Sequence, residues 1–158
     1  MTQSAADQQH LEHAIALARA SVADGGGPFG AVVVTADGRA FEGANQVTAT
    51  NDPTAHAEVV AIRAAAAGSG GFDLSGTVLY ASCEPCPMCL AAALWARVDR
   101  VVFGADRHDA AAAGFDDAAF YDYFASDDRS LMPVAQLLAA TRSDPFDAWR
   151  ADADRTAY

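Results

Sequence analysis

The chain has no lysine. Its ten basic residues are all arginine, spaced singly from Arg19 to Arg155, and they face 21 acidic residues for a net charge of −11. Binding along a nucleic-acid backbone requires a patch of cations that releases counterions from the phosphates. No such patch exists here, so nucleic acid is not an expected partner. The aspartates that crowd residues 105–158 read as a solvated acidic surface. No apolar run approaches the roughly 18 to 20 residues that cross a bilayer, so no membrane partner is expected either. The first ten residues, MTQSAADQQH, have neither the basic nor the apolar part of a secretory leader, and the expected compartment is the cytoplasm. Cysteine is scarce, three in 158 residues, and a reduced compartment favours metal binding over pairing.

What is present is a globular composition, 52% hydrophobic and 20% charged, without repeats or linkers, in a chain long enough for one domain over residues 1–158. Leu11, Ile15, Ala18 and Val22 have helical spacing within 7–23. GGGPFG breaks that helix, AVVVT (31–35) reads as a buried strand, and Ala36-Asp37-Gly38 is a turn returning as an antiparallel strand over 40–49. NDPT (51–54) is a helix start, continued to about Ala67. TVLYAS (77–82) and RVVFG (100–104) are further strands, with a helix between them through LAAALWA. Beyond these, GFDDAAFYDYFA and SDPFDAWRADADR look helical, and PVAQLL reads equally as strand or helix. Helices alternating with strands point to a sheet covered on both faces, with an antiparallel hairpin at its start.

All three cysteines fall within seven residues, in ASCEPCPMCL (81–90). Cys86 and Cys89 are i and i+3, on one face of the first turn of their helix, and a helix N-terminus favours the thiolate that binds metal. His56 and Glu58 lie about 200° apart on a regular helix, so they converge only at its mouth. One imidazole and two thiolates are the ligand set of a catalytic zinc that keeps its fourth position for water. Such a metal lowers the pKa of that water, and Glu58, near the metal but not bound to it, is placed to move the proton. Cys83-x-x-Cys86 has the same spacing as Cys86-x-x-Cys89. Cys83 follows its strand directly, before the helix turn, and reads as a buried thiol beside the site. His10, His13 and His108 have no partner motif and read as surface residues.

H-A-E followed by P-C-x-x-C is the zinc deaminase signature. NDPTAHAEVVAIRAA and SCEPCPMCLAAALWARVDRVVFGA resemble the cytidine deaminase superfamily. GGGPFGAVVV, Asn45, DAAAAGFDD, SDPFDAWR and the terminal tyrosine resemble its guanine deaminase branch, so the resemblance covers nearly the whole chain. It implies a three-layer α/β/α sandwich on a five-stranded mixed sheet, with Zn2+ as the cofactor between two helix N-termini. It also implies hydrolysis of a free nucleobase, guanine to xanthine and ammonia, in a homodimer that exchanges a C-terminal segment of about 143–158. By motif position, His56, Cys86 and Cys89 would hold the metal and Glu58 would shuttle the proton. Asn45 would bond the base, Phe29 and Trp95 would line the pocket, Asp117 would act on the purine, and Tyr158 would close the partner's site.

Each substrate residue also has a plain structural reading. Asn45 could bond a turn backbone, Phe29 and Trp95 could be core, Asp116 could replace Asp117, and Tyr158 could be a frayed terminus. Other amino-bearing rings (guanosine, cytosine or a triazine) fit the same chemistry. Transfer-RNA adenosine deaminases share DPTAHAE and PCxMC but need a basic face that this chain lacks. A redox or zinc-storage module on the cysteine cluster would leave Glu58 without a task.

Overall fold

Residues alternate along the two central strands between two apolar layers, and this period of two builds the domain. In a computed structural model of the chain, which describes residues 4–158, the elements run α1 (Ala5–Ala23), β1 (Gly30–Val34), β2 (Ala40–Ala44), α2 (Val47–Thr50), α3 (Ala57–Ser69), β3 (Val78–Cys83), α4 (Pro87–Trp95), β4 (Arg100–Ala105), α5 (Arg107–Ala112), α6 (Ala118–Ala125) and α7 (Asp144–Ala151). The described strands form one mixed sheet in the order β2-β1-β3-β4. The pairs β1/β2 and β1/β3 are antiparallel, and β3/β4, joined through α4, is parallel.

Register decides what each face carries. Val33 pairs with Leu79 and Leu79 with Val101, while Val32 pairs with Tyr80 and Tyr80 with Val102. The first row packs with Ala57, Ala61 and Ala65 of α3 and Ala93 of α4. The second packs with Leu11, Ala14 and Leu17 of α1. The sheet is therefore covered by α1 on one face and by α3 and α4 on the other, as the three-layer expectation required. The sheet has four strands among the described residues, not five. PVAQLL (133–138) forms neither strand nor helix. Its Val134, Leu137 and Leu138 are 69%, 93% and 69% exposed, and Pro133 has no N–H to give a ladder.

Two glycines bring the helices close. A Cβ on Gly30 would collide with the Ala14 carbonyl and the Ala18 nitrogen of α1, and one on Gly43 would collide with the Ala57 carbonyl and the Ala61 nitrogen of α3. The second approach seats the first turn of α3 against β2, and that turn carries Glu58. The chain divides into two compact units, Met1–Phe120 and Tyr121–Tyr158. The sheet and its helices α1 to α5 belong to the first. The second contains α7, and its apolar side chains Phe124, Leu137, Phe146 and Tyr158 are exposed.

Asp7 secures the start of α1. Its carboxylate accepts the Ser4 N–H at 3.0 Å, and its own N–H donates to Ser4 Oγ at 3.1 Å, a reciprocal cap. The same carboxylate accepts the Tyr80 hydroxyl at 2.7 Å and Arg100 Nη2 at 2.5 Å. The Arg100 guanidinium, ahead of the Ser4 and Tyr80 bonds, holds the Asp7 carboxyl far below the usual carboxylate range. Burial and then the bond to Asp7 push Tyr80 up to about 12. Because Asp7 has a lower pKa folded than unfolded, its contribution to stability is complete above the ordinary carboxyl pKa near 4. It is lost as pH falls through and below that value. The urea midpoint is expected to fall more steeply between pH 5 and about pH 3 in the wild type than in Asp7→Asn, and equal slopes would contradict the assignment.

Candidate active site

Two helix mouths open side by side at one end of the sheet. His56 is the N-cap of α3 and Cys86 the N-cap of α4, both in extended backbone (ψ 152° and 168°). Cys86 is held there by Pro87, which disfavours helical geometry in the residue before it and is well placed at the first helical position. Cys86 thus stands at the cap, with Cys89 three residues into the helix, rather than both lying inside the first turn as the spacing suggested. The start of α3 also comes later than expected. Asp52 turns onto Thr54 instead of capping the helix, accepting its N–H at 2.8 Å and its hydroxyl at 2.7 Å, and α3 begins at Ala57.

His56 Nδ1 lies 3.6 Å from Cys86 Sγ and 3.5 Å from Cys89 Sγ, and the two sulfurs are 3.6 Å apart. A tetrahedral zinc with bonds of about 2.3 Å to sulfur and 2.0–2.1 Å to nitrogen separates its sulfurs by roughly 3.8 Å and sulfur from nitrogen by roughly 3.6 Å. The donor set fits that ion. The hydrogen bond between the two thiols draws Cys86 down to about 4 and, with burial, pushes Cys89 up. Cys86, hydrogen-bonded to the ring, raises the pKa of His56 against its burial. A dication held by the three would displace the protons that remain on them.

Cys83 is not in this group. It is buried, its thiol donates to the Asp106 carbonyl at 3.6 Å, and burial pushes its pKa up, away from the ligating form. Glu58 is 7% exposed and within hydrogen-bonding reach of the Cys89 thiol. Burial raises its pKa, so the carboxyl sits nearer the range in which it both takes and gives a proton.

A cavity of about 540 Å³ opens over these groups, lined among others by His56, Glu58 and Cys86 together with Asn45, Phe29 and Asp117. Asn45 lies one residue past the end of β2, which stops at Ala44 rather than continuing to residue 49. The Asn45 Oδ1 accepts the Val47 N–H at 3.3 Å, which leaves the amide hydrogens free to donate to a ligand. Phe29 packs on the core and meets Phe115 edge-on at 5.0 Å, so it is both core and wall. Of the two neighbouring aspartates, Asp116 is exposed and accepts the Ala118 N–H at 3.0 Å. Asp117 is half-buried, and its pKa is raised by burial and then by Cys86.

One expected substrate residue lies away from this cavity. Trp95 is 69% exposed and lines a separate surface depression with Ala91, Leu94 and Arg97. It ends α4, nine residues beyond Cys86, which at about 1.5 Å per residue places it roughly 13 Å along the axis. Tyr158 belongs to the second unit, where it meets the Trp149 ring edge-on at 6.3 Å and is 72% exposed. The histidines away from the site are not all bare: His10 lies over Tyr80, ring centroids 5.1 Å apart, and His13 Nε2 is 3.0 Å from Glu42.

The sequence reading did not find Glu84, Arg107 or Phe115, which also line the cavity. Arg107 begins α5, which was not anticipated although Asp106 and Asp109 form a reciprocal cap there, Asp106 Oδ1 accepting the Asp109 N–H and Asp109 Oδ2 the Asp106 N–H, each at 3.0 Å. That D-x-x-D spacing was the available signal.

A mixed sheet under two helix mouths, presenting one imidazole, two thiols and a buried carboxyl, defines a deaminase fold with a donor set suited to a metal ion. The zinc-binding region of cytidine and deoxycytidylate deaminases matches residues 4–105, and the chain belongs to that family. Within it, the chain is 46% identical over 151 residues to guanine deaminase of Bacillus subtilis, covering 94% of this chain and 96% of that one. The X-ray structure of a Bacillus subtilis guanine deaminase superposes with a TM-score of 0.91 at 46% identity, covering 96% and 98% of the two chains. A tRNA-specific adenosine deaminase of Haemophilus influenzae is 40% identical over 119 residues, covering 74% of this chain and 68% of that one.

Protein purified with zinc is expected to hold about one ion per chain by elemental analysis. His56→Ala and Cys89→Ala are expected to lose it and to melt earlier, since metal binding and folding are coupled in such sites, whereas Cys83→Ala retains it. A metal-free wild type would overturn the ligand assignment.

Proposed function

We propose that the chain hydrolyses guanine to xanthine and ammonia, with zinc held by His56, Cys86 and Cys89. The observation that carries this reading is the match to guanine deaminase across the whole chain, including parts outside the zinc motifs. The electrostatics of the cavity support a small neutral substrate. Four carboxylates line it (Glu58, Glu84, Asp116 and Asp117), and its arginine, Arg107, is paired with Glu84 at 2.6 Å. A phosphate or an RNA backbone meets repulsion there.

When bound, zinc supplies Lewis-acid activation of a water, bringing its pKa towards neutrality. The Glu58 carboxylate would take one proton of the attacking water and give it to a ring nitrogen, then carry the second, from the new hydroxyl, to the leaving amine. Ammonia departs as the carbon exchanges its C–N bond for C–O. Asn45 donates its amide hydrogens to an acceptor on the ring edge, and Asp117 accepts a ring N–H. The edge-on rings of Phe29 and Phe115 bound the space for a planar base. A site whose buried polar groups are matched to one edge pattern rejects another by factors of up to about 10⁴.

The chain acts as a homodimer in this reading, with residues of about 143–158 exchanged and Tyr158 closing the partner's site. Support comes from exposed apolar side chains, among them Leu137 (93%), Leu94 (77%) and Trp95 (69%). On this view Trp95 serves the subunit contact rather than the pocket. Free cysteines accord with a reducing compartment, the cytoplasm, and no helix among the described residues is long and apolar enough to cross a membrane.

Ammonia release measured in parallel on guanine, guanosine, adenine, cytosine and cytidine is expected to favour guanine, and preference for any nucleoside would overturn the substrate assignment. Glu58→Gln should keep its metal while turnover falls about 10²- to 10⁴-fold; loss of metal would show Glu58 to be a ligand instead. Light scattering at micromolar concentration should give twice the chain mass, and a monomer would remove the dimer.

A further inference from the structure

Glu84 lies between the strand that ends at Cys83 and the turn that presents Cys86, and its side chain does not point to solvent. The carboxylate is 15% exposed and takes three hydrogen bonds from one residue. Arg107 Nη2 donates to Oε1 at 2.6 Å, and Arg107 Nε and the Arg107 backbone N–H donate to Oε2 at 3.2 and 3.1 Å. Two further bonds run alongside, from the Glu84 N–H to the Ala105 carbonyl at 2.8 Å and from the Cys83 thiol to the Asp106 carbonyl at 3.6 Å. Five bonds therefore tie the Cys83–Cys86 turn to the junction of β4 and α5. Pro85, inside that turn, is fully buried.

The other end of this junction leads to the substrate side of the cavity. The six residues of α5 and its cap Ala113 are followed by Gly114, at φ +94°, where only glycine is unstrained. Phe115 then locks onto Phe29, and Asp117 turns inward. Burial and then Cys86 raise the pKa of Asp117, and the charge of Arg107 offsets part of that rise. Cys86 and Asp117 are thus carried by separate segments, and the Glu84–Arg107 pair is the side-chain ion pair that joins them beside the cavity. A guanidinium bound in bidentate fashion fixes distance and plane together, which an ammonium does not.

We propose that Glu84 and Arg107 are positioning residues that set the placement of Asp117 relative to the His56/Cys86/Cys89 cluster. The inference rests on the reading above in which Asp117 contacts the substrate. Loss of the pair lets α5 and the Asp117 loop shift while the cluster, built on α3 and α4, keeps its geometry. Supporting groups around metal sites typically contribute about 10- to 100-fold in activity.

The test compares Arg107→Met, Arg107→Lys, Glu84→Gln and Asp117→Asn, and the double variant Arg107→Met/Asp117→Asn, each in the full-length protein saturated with zinc. Zinc content, melting temperature, and kcat and KM on guanine are measured. Arg107→Met is expected to keep its zinc and lose about 10- to 100-fold in kcat. Arg107→Lys should restore little, and Arg107→Met should add almost nothing in the Asp117→Asn background. Should Arg107→Met fail to fold, Glu84→Gln, which keeps its size and one accepting oxygen, carries the same comparison. A merely structural pair would lower the melting temperature and leave kcat unchanged, which overturns the proposal. Loss of zinc, or full additivity with Asp117→Asn, overturns it as well. If Asp117→Asn itself turns over like the wild type, it is the reading of Asp117 as a substrate residue that fails.

Discussion

Three polar atoms from two helices must meet within about 3.6 Å inside an otherwise apolar layer, and the rest of the molecule is arranged to permit it. Neither helix carries the whole set. The imidazole comes from the cap of α3 and the sulfurs from the cap and first turn of α4. The two mouths can be adjacent only if both helices lie on the same face of the sheet and start at the same end. The parallel β3-α4-β4 crossover supplies one placement. Gly43 supplies the other, by letting α3 settle directly on the backbone of β2. The packing layer between α3, α4 and the sheet consists largely of alanine, and small side chains are what allow helix axes to come this close.

The chemistry follows from unequal surroundings given to similar groups. Among the cavity carboxyls, Glu58 is buried and pushed up, Glu84 is pulled down by Arg107, and Asp116 is turned to a backbone N–H. Among the thiols, Cys83 is bound to a carbonyl and pushed up by burial, while Cys86 at a helix mouth is drawn towards thiolate. Residue type is the same within each set. Solvation and the nearest partner divide the labour.

The zinc motifs and the main helices and strands are legible because their signals are local: a strand ending, then a turn, then a ligand at a helix start. Errors arise where a local signal is ambiguous or where a contact spans the sequence. PVAQLL has an apolar pattern that fits strand and helix equally, and it forms neither. The second strand reads as running to residue 49 because nothing nearby announces that Asn45 turns its side chain onto Val47. Trp95 goes to the pocket by its place in a matching motif, yet the length of α4 carries it away from the site. The Glu84–Arg107 pair, 23 residues apart, has no periodicity to betray it.

The clamp on Asp7 has a consequence for how the chain is made. Asp7 and Arg100 are 93 residues apart. At synthesis rates of about 5–20 residues per second, the cation that neutralises the head of the first helix leaves the peptidyl-transferase centre roughly 5 to 20 s after it. Until then α1 has its cap but not its anchor, and the β4 edge of the sheet that it helps to cover does not exist. The nascent N-terminal half is therefore a hairpin, the helices α1 and α3 and an unmatched His56, awaiting their other half. A ribosome pause before residue 100 would prolong the interval in which that apolar face of the sheet is exposed to other chains.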